Sequence, residues 1–110
     1  MNYEKIISPE EFDKILTDKE DVLIIDLREQ TSFFKPVDEA VHVPVSSIVN
    51  NIGVFSKSKK IVLYCWHGVD SYFVMNLLWL DYGFENVYSL KGGIEGWYKF
   101  LKEKNRLSKK

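Results

Sequence analysis

The amino-acid sequence predicts an α/β fold, in which an open, mainly parallel β-sheet carries helices on both faces. Short runs of branched apolar residues, typical of strands buried on both faces, alternate with longer stretches of helical spacing. Strands separated by helices imply right-handed βαβ crossovers and therefore parallel pairing. The 110 residues suffice for one domain with its own core, which we place at residues 1–104, followed by a basic C-terminal tail at 105–110.

The first predicted helix has a distinct start signal. Ser8 can cap the helix, Pro9 suits its first position, and Glu11 completes a capping box. Apolar residues then recur on one helical face, at Phe12, Ile15 and Leu16. We therefore expect a helix to begin at this point.

Three short apolar runs predict the strands of the sheet. They occupy residues 22–27, 61–64 and 86–90, and all are rich in residues that pack well in buried strands. Residues 28–60 have a weaker pattern. We expect two loops there, on either side of a short helix near residues 46–51.

Two more helices are predicted in the second half of the chain. Residues 71–82 form one helical stretch, and Gly83 follows it where a helix C-cap belongs. This stretch is so apolar that the helix is either packed on several sides or partly covered by a partner. The last helix is expected to run from Ile94 to about Lys104.

Composition and charge exclude several classes of function. Fifteen basic and sixteen acidic residues give a net charge of -1, which leaves no broad positive field for nucleic acid or an anionic membrane. No apolar run approaches the roughly twenty residues of a membrane span, and no signal-peptide core is evident. One cysteine and two distant histidines give no metal-binding spacing, so we expect no metal and no cofactor. A single cysteine also suits a reducing compartment, and we expect a cytoplasmic protein.

The predicted architecture places a functional site at the carboxyl ends of the strands. In open α/β sheets, ligands bind there, at the topological switch point. Asp26 and Arg28 stand at the end of the first predicted strand, Cys65 follows the second, and Lys91 follows the third. We therefore expect these side chains to surround one site.

Cys65 is the candidate nucleophile. It leaves a buried strand, and a helix is expected to open six residues later at Ser71. Free backbone N–H groups and the positive end of the helix dipole favour an anion at such a position, here a reactive thiolate. Gly68 allows the loop to turn tightly. The alternative is a buried, inert cysteine at a strand end.

Three segments of the sequence resemble the motifs of the rhodanese family, in the same order and spacing. They are Asp26-Leu27-Arg28, the loop that begins at Cys65, and residues 86–97, which include Gly92-Gly93 and Trp97. The resemblance extends from about residue 5 to 104, with a looser match between Lys35 and Pro44. It implies a rhodanese-like sheet and sulfur transfer, in which the loop cysteine accepts a sulfane sulfur as a persulfide and passes it to a thiol.

The resemblance also implies which residues form the site. The catalytic residue would be Cys65, supported by Asp26, Arg28 and Lys91, and the active-site loop would comprise Trp66, His67, Gly68, Val69, Asp70 and Ser71. Counted from Cys65 to Asp70, the residues before the predicted helix, the loop has six residues, and this length resembles that of sulfurtransferases. Related phosphatases and arsenate reductases have a longer loop that accommodates a tetrahedral oxyanion.

The loop departs from the family pattern at two positions. Trp66 and Asp70 stand where family members often carry an arginine and a second cation or threonine. We therefore expect poor use of thiosulfate, which is a dianion. His67 either pairs with the thiolate or is solvent-facing or bonded to Asp70, and Lys91 either substitutes for the missing cation or is uninvolved. Trp66 is a pocket wall, a contact for an acceptor protein, or a hydrophobic plug.

Three functional hypotheses follow. In the first, the chain is a sulfurtransferase that takes sulfur from a small-molecule or protein persulfide and gives it to a thiol acceptor. In the second, it is a non-catalytic module that binds a partner or senses redox state. The sequence leaves open whether the chain forms a homodimer. In the third, it is a phosphatase or arsenate reductase, which the lack of a loop arginine disfavours.

Overall fold

The computed structural model describes residues 5–108. It contains a five-stranded sheet in which every paired strand is parallel, in the spatial order β1-β5-β4-β2-β3. The strands are β1 (Ile6–Ile7), β2 (Val22–Asp26), β3 (Val41–His42), β4 (Lys60–Tyr64) and β5 (Val87–Leu90). The helices are α1 (Pro9–Thr17), α2 (Val69–Tyr82) and α3 (Gly93–Ser108), with 3₁₀ segments at Val45–Ser47 and Val49–Val54. The predicted open parallel sheet is confirmed.

Alternate side chains of the central strands point to opposite faces of the sheet, so the molecule has two cores. One core joins Ile24 and Val62 to α1 and α3, with the Phe12 and Trp97 rings 5.0 Å apart in an edge-to-face contact. The other core joins strand residues to α2 and the 3₁₀ segments, and it includes Ile25, Leu63, Met75, Leu78, Ile48 and Phe55. Helices therefore cover both faces, as the sequence predicts.

The predicted helix boundaries hold where a side chain or a glycine specifies them. Ser8 Oγ accepts a hydrogen bond from the Glu11 N–H at 3.1 Å, and Glu11 Oε1 accepts one from the Ser8 N–H at 3.2 Å. This is the predicted capping box, a feature worth about 1 kcal/mol to a helix. Gly83 ends α2 in the left-handed region, with φ 73°, where a side chain would be strained.

Other boundaries differ from the prediction. The two-residue strands β1 and β3 were not predicted, and the short helix predicted near residues 46–51 is present as two 3₁₀ segments, Val45–Ser47 and Val49–Val54. Helix α2 begins at Val69, two residues before the predicted start, because Gly68 takes φ 95° and turns the chain early. Helix α3 continues to Ser108, past its predicted end. Lys109 and Lys110 lie outside the described residues, and the division into domain and tail stays a prediction.

Helix α2 packs on one side only. Val74, Met75 and Leu78 are buried, whereas Val69, Phe73 and Leu80 are 61%, 63% and 69% exposed. Packing on several sides within residues 5–108 is therefore ruled out, and cover by a partner is the alternative that stays a prediction. No helix in this part of the chain is long and apolar enough to cross a bilayer.

The topological switch point lies between β2 and β4. These neighbouring strands pair in register, with Asp26 opposite Tyr64, but the chain leaves β2 towards β3 and leaves β4 towards β5. The two connections diverge at the carboxyl ends of the strands, where open α/β sheets place their functional sites. Both Asp26 and Cys65 are brought to this edge.

Candidate active site

The sulfur of Cys65 lies inside a curl of backbone at the end of β4. Its Sγ accepts hydrogen bonds from the N–H groups of Gly68, at 3.1 Å, and Ser71, at 3.3 Å. The residue is only 3% exposed. Two of the loop amides thus converge on the sulfur, as predicted, at the N-terminus of α2. An anionic sulfur at this position has donors and a helix dipole already in place.

Helix α3 holds the loop from behind. The Ile94 N–H donates to the Cys65 carbonyl at 2.8 Å, and the Glu95 N–H donates to the Trp66 carbonyl at 3.2 Å. These are N–H groups of the first helical turn, which have no partner within the helix. The C=O and N–H of a trans peptide point in opposite directions, so the clamp also fixes the N–H groups of Trp66 and His67 away from α3.

This clamp requires a glycine at position 93. A Cβ on Gly93 would lie 2.5 Å from the Cys65 carbonyl oxygen and from backbone atoms of Trp66, and its φ is 63°. Gly92-Gly93 entered the sequence analysis only as part of a family motif. The structure specifies the contact, since Gly93 lets α3 approach the reactive loop.

A pair of buried hydroxyls lies beside the sulfur. Ser71 Oγ is 3.5 Å from Cys65 Sγ and 2.7 Å from Ser89 Oγ. Ser71 belongs to α2 and was predicted as part of the loop, but Ser89, on β5, was missed. Its signal in the sequence was a hydroxyl side chain near the end of an otherwise apolar strand.

Asp26 and Arg28, expected to support the site, form a fully buried ion pair. The guanidinium donates to both carboxylate oxygens, with Arg28 Nη2 2.8 Å from Asp26 Oδ2. Burial alone would lower the pKa of Arg28, but the hydrogen bonds and charge of Asp26 outweigh it and raise that pKa. The charge of Arg28 is therefore neutralised inside the structure.

Tyr64 completes this network and was not predicted as a site residue. Its hydroxyl donates to Asp26 Oδ2 at 2.7 Å and accepts from the Val37 N–H at 3.0 Å. Burial and the hydrogen bond to Asp26 raise the pKa of Tyr64, so the phenol is neutral at ordinary pH. The last side chain before the cysteine thus ties β4 to the loop after β2.

Trp66 packs over this network. Its ring lies 5.2 Å from Arg28 Cζ, in cation–π contact, and 5.9 Å from the Phe34 ring. On its outer side is Phe33, which is 70% exposed and whose ring is 6.2 Å away. These contacts agree with the interpretation of Trp66 as a hydrophobic plug. A contact of Trp66 with an acceptor protein stays a prediction.

The charged residues beside the loop, His67, Asp70 and Lys91, are exposed and are not among the hydrogen-bond partners of the sulfur. His67 Nδ1 lies 3.4 Å from Glu95 Oε2 and both side chains are largely exposed, so the structure fits the solvent-facing alternative for His67 rather than a bond to Asp70. Asp70 is exposed and forms no ion pair within residues 5–108. Lys91 is also exposed and borders a cleft of about 390 Å³ beside the loop, together with Ile6, Val69, Tyr72 and Phe73. The described groups that bond to Sγ are thus two N–H groups and one hydroxyl.

Metal ligands are not clustered in the part of the chain that the structure describes. No group of three or more His, Cys, Asp or Glu side chains there could hold an ion. His42 hydrogen-bonds the Arg28 carbonyl and His67 faces Glu95, so the two histidines serve different parts of the structure.

Comparison with known proteins supports one family. Residues 8–100 match the family described as Rhodanese-like domain. Thiosulfate sulfurtransferase GlpE of Pseudoalteromonas translucida is 36% identical over 95 residues, covering 81% of this chain and 85% of the relative. The GlpE of Coxiella burnetii is 35% identical over 83 residues, covering 74% and 77%. A rhodanese-like domain protein of Staphylococcus aureus has a similar fold, with a TM-score of 0.76, 24% identity, and coverage of 84% and 90%.

Proposed function

Because this chain belongs to the rhodanese-like domain family, we propose that it is a sulfurtransferase whose Cys65 carries the transferred sulfur as a persulfide. The observation that carries the proposal is the position of Sγ. It accepts hydrogen bonds from the N–H groups of Gly68 and Ser71, at 3.1 and 3.3 Å. Donors fixed in advance stabilise an anion without reorganising when it forms. The names of the GlpE relatives support the same reaction class.

The reaction balances without a cofactor. The Cys65 thiolate attacks the outer sulfur of a donor persulfide, R–S–SH. A new S–S bond forms, the donor's S–S bond breaks, and the donor leaves as R–S⁻. An acceptor thiolate then attacks the outer sulfur on Cys65, becomes a persulfide itself, and regenerates the Cys65 thiolate. One neutral sulfur atom moves and no net oxidation occurs.

The charges around the loop favour a neutral or protein-bound persulfide as the donor. Thiosulfate carries two negative charges, and the loop presents Asp70 where a cation would help it. Arg28 is neutralised by Asp26, and Lys91 is exposed at the margin of the cleft. We therefore propose slow turnover with thiosulfate, in contrast to the substrate named for the GlpE relatives. The single reduced cysteine suits the cytoplasm as the compartment.

The experiment is a measurement of intact mass. The reduced protein is incubated with a small-molecule persulfide and, separately, with thiosulfate. We expect a gain of one sulfur atom from the persulfide and a slower gain from thiosulfate. Cys65→Ser is the matched control and should gain none, since the chain has one cysteine.

No gain from either donor, with an unchanged circular dichroism spectrum, would overturn the proposal. The second candidate would then apply, a partner-binding or redox-sensing module. It is favoured by the apolar surface beside the loop, where Val69 and Phe73 are exposed next to the cleft. A homodimer through this surface would appear in light scattering and would weaken in Phe73→Asp.

A further inference from the structure

The buried hydroxyls of Ser71 and Ser89 form a chain that ends at the reactive sulfur. Ser89 Oγ lies 2.7 Å from Ser71 Oγ, which lies 3.5 Å from Cys65 Sγ. Ser71 is 0% exposed and Ser89 is 1% exposed, so bulk water does not compete for these bonds. Ser89 comes from β5, whereas Ser71 and the sulfur belong to the loop and α2.

The direction of these hydrogen bonds depends on the charge of the sulfur. A thiol can donate its hydrogen to Ser71, which then donates to Ser89. An anionic sulfur has no hydrogen and only accepts, so the Ser71 hydroxyl must turn and donate to it. Between two hydroxyls at 2.7 Å there is one hydrogen, and Ser89 must then supply it to Ser71.

We propose that Ser89 is a positioning residue for sulfur transfer, which holds the Ser71 hydroxyl in the orientation that donates to the anionic sulfur of Cys65. The inference rests on the proposed function only in naming the reaction; the hydrogen-bond chain itself acts on the thiolate. Ser89 does not contact the sulfur. It accepts a hydrogen bond from Ser71 when Cys65 is a thiol, and it donates one to Ser71 when the sulfur is anionic.

The surroundings explain why such a device matters in this chain. The loop offers the sulfur no arginine or lysine, and the one buried cation among residues 5–108, Arg28, is already bonded to Asp26. Hydrogen bonds that point the same way polarise one another, and they are stronger in a site without water. The two aligned hydroxyls therefore give the sulfur a third hydrogen-bond donor, in addition to the two N–H groups of the loop.

The experiment is a double-mutant cycle on the full chain. Reduced protein reacts with iodoacetamide in the absence of any sulfur donor, and the second-order rate constant of Cys65 is measured for wild type, Ser71→Ala, Ser89→Ala and the double variant. We expect Ser71→Ala to slow the reaction about tenfold, since it removes a donor to a charged group. Ser89→Ala should slow it about threefold, since it acts by orientation and polarisation.

The decisive result is the rate constant of the double variant. If Ser89 acts through Ser71, the double variant reacts as slowly as Ser71→Ala alone. If Ser89 only supported the structure, Ser89→Ala would instead slow the reaction by the same factor in wild type and in Ser71→Ala. Ser89→Thr, which keeps the hydroxyl, should restore the rate. Ser46→Ala, which removes a hydroxyl that bonds Glu29 and not the sulfur, should leave it unchanged.

Two outcomes would overturn the proposal, namely an unchanged rate in Ser89→Ala or equal losses in both backgrounds. Thermal unfolding of each variant identifies one that has lost its fold. If the cycle behaves as expected but wild type gains no sulfur in the mass experiment, the proposed function fails while the hydroxyl chain stands. If sulfur is gained and the cycle is additive, only the role of Ser89 fails.

Discussion

Two neighbouring segments leave the same edge of the sheet and use charge in opposite ways. The segment 26–29, after β2, pairs its charges with other groups: Asp26 with Arg28, and Glu29 with the N–H and hydroxyl of Ser46. The loop 65–71, after β4, surrounds its sulfur with neutral dipoles, and its one acidic residue, Asp70, is exposed.

The difference follows from what each segment does. A buried ion pair is stable only while both partners keep their charge, because one charge left alone in the interior is costly. Arg28, whose pKa is raised despite its burial, keeps its positive charge at ordinary pH. In the proposed reaction Cys65 is negatively charged at some steps and neutral at others. A buried cation beside it would therefore lack a partner whenever Cys65 is neutral. Neutral N–H and O–H donors suit both states.

Breaking the ion pair should have the largest effect. Arg28→Ala leaves the carboxylate of Asp26 buried without its partner, and we expect the free energy of unfolding to fall by about 3–5 kcal/mol. The measurement is urea unfolding. Arg106→Ala removes an arginine whose ion pair with Glu103 is mostly exposed, and it should cost less than about 1 kcal/mol. Equal losses in the two variants would contradict the contrast between the segments.

The second prediction concerns the clamp on the reactive loop. In Gly93→Ala the new methyl group would meet the Cys65 and Trp66 backbone at 2.5 Å, at a positive φ, and we expect a loss of about 2–4 kcal/mol. Displacement of the loop should also slow iodoacetamide reaction at Cys65. Gly53→Ala, with no atom within 4 Å of the new methyl group, should be neutral or slightly stabilising. A Gly93→Ala protein with wild-type stability would show that α3 does not constrain the loop.

The third prediction adds a cation to the loop that has none. Asp70→Lys should raise kcat/KM with thiosulfate by roughly threefold to tenfold, and added salt should reduce the gain. A neutral organic persulfide should be used as before. Asp81→Lys makes the same charge change at the exposed far end of α2 and should leave both donors unaffected. A rise in that control would mean that net charge, rather than the loop, attracts thiosulfate.

The smallest effect concerns Glu29. Hydrogen bonds from the Ser46 N–H and hydroxyl lower the pKa of Glu29 below its ordinary value of 4.5. A depressed pKa in the folded state gives stability that is present above pH 4.5 and is lost as pH falls through the folded-state pKa. Wild type should therefore be slightly more stable than Glu29→Gln near neutrality, and this difference should shrink in acid. A difference that is constant with pH would exclude the charge as its cause.

The sequence predicted those elements of the fold that a local signal specifies. The capping box at Ser8, the glycine at position 83 and the three buried strands depend on neighbouring residues alone, and all are present. The two-residue strands β1 and β3 are too short to show a period. They exist because longer neighbours, β5 and β2, offer them edges to pair with.

The site was predicted in outline, and its contacts were not. Cys65, its loop and the Asp26–Arg28 pair followed from position and resemblance. Tyr64, Ser89 and the contact of His67 with Glu95 depend on residues from other strands or helices that meet only after folding. A single sequence holds no direct signal for such pairs, since each residue alone suits an ordinary strand or loop.

The main-chain origin of the sulfur's N–H donors has a consequence for evolvability. The donors at positions 68 and 71 are peptide groups, so of the side-chain exchanges at these two positions only one to proline removes an N–H. The exposed neighbours His67, Val69 and Asp70 can therefore change without deleting either donor. A lineage that carries this loop can alter the choice of sulfur donor through those three residues while inheriting the two amide donors unchanged.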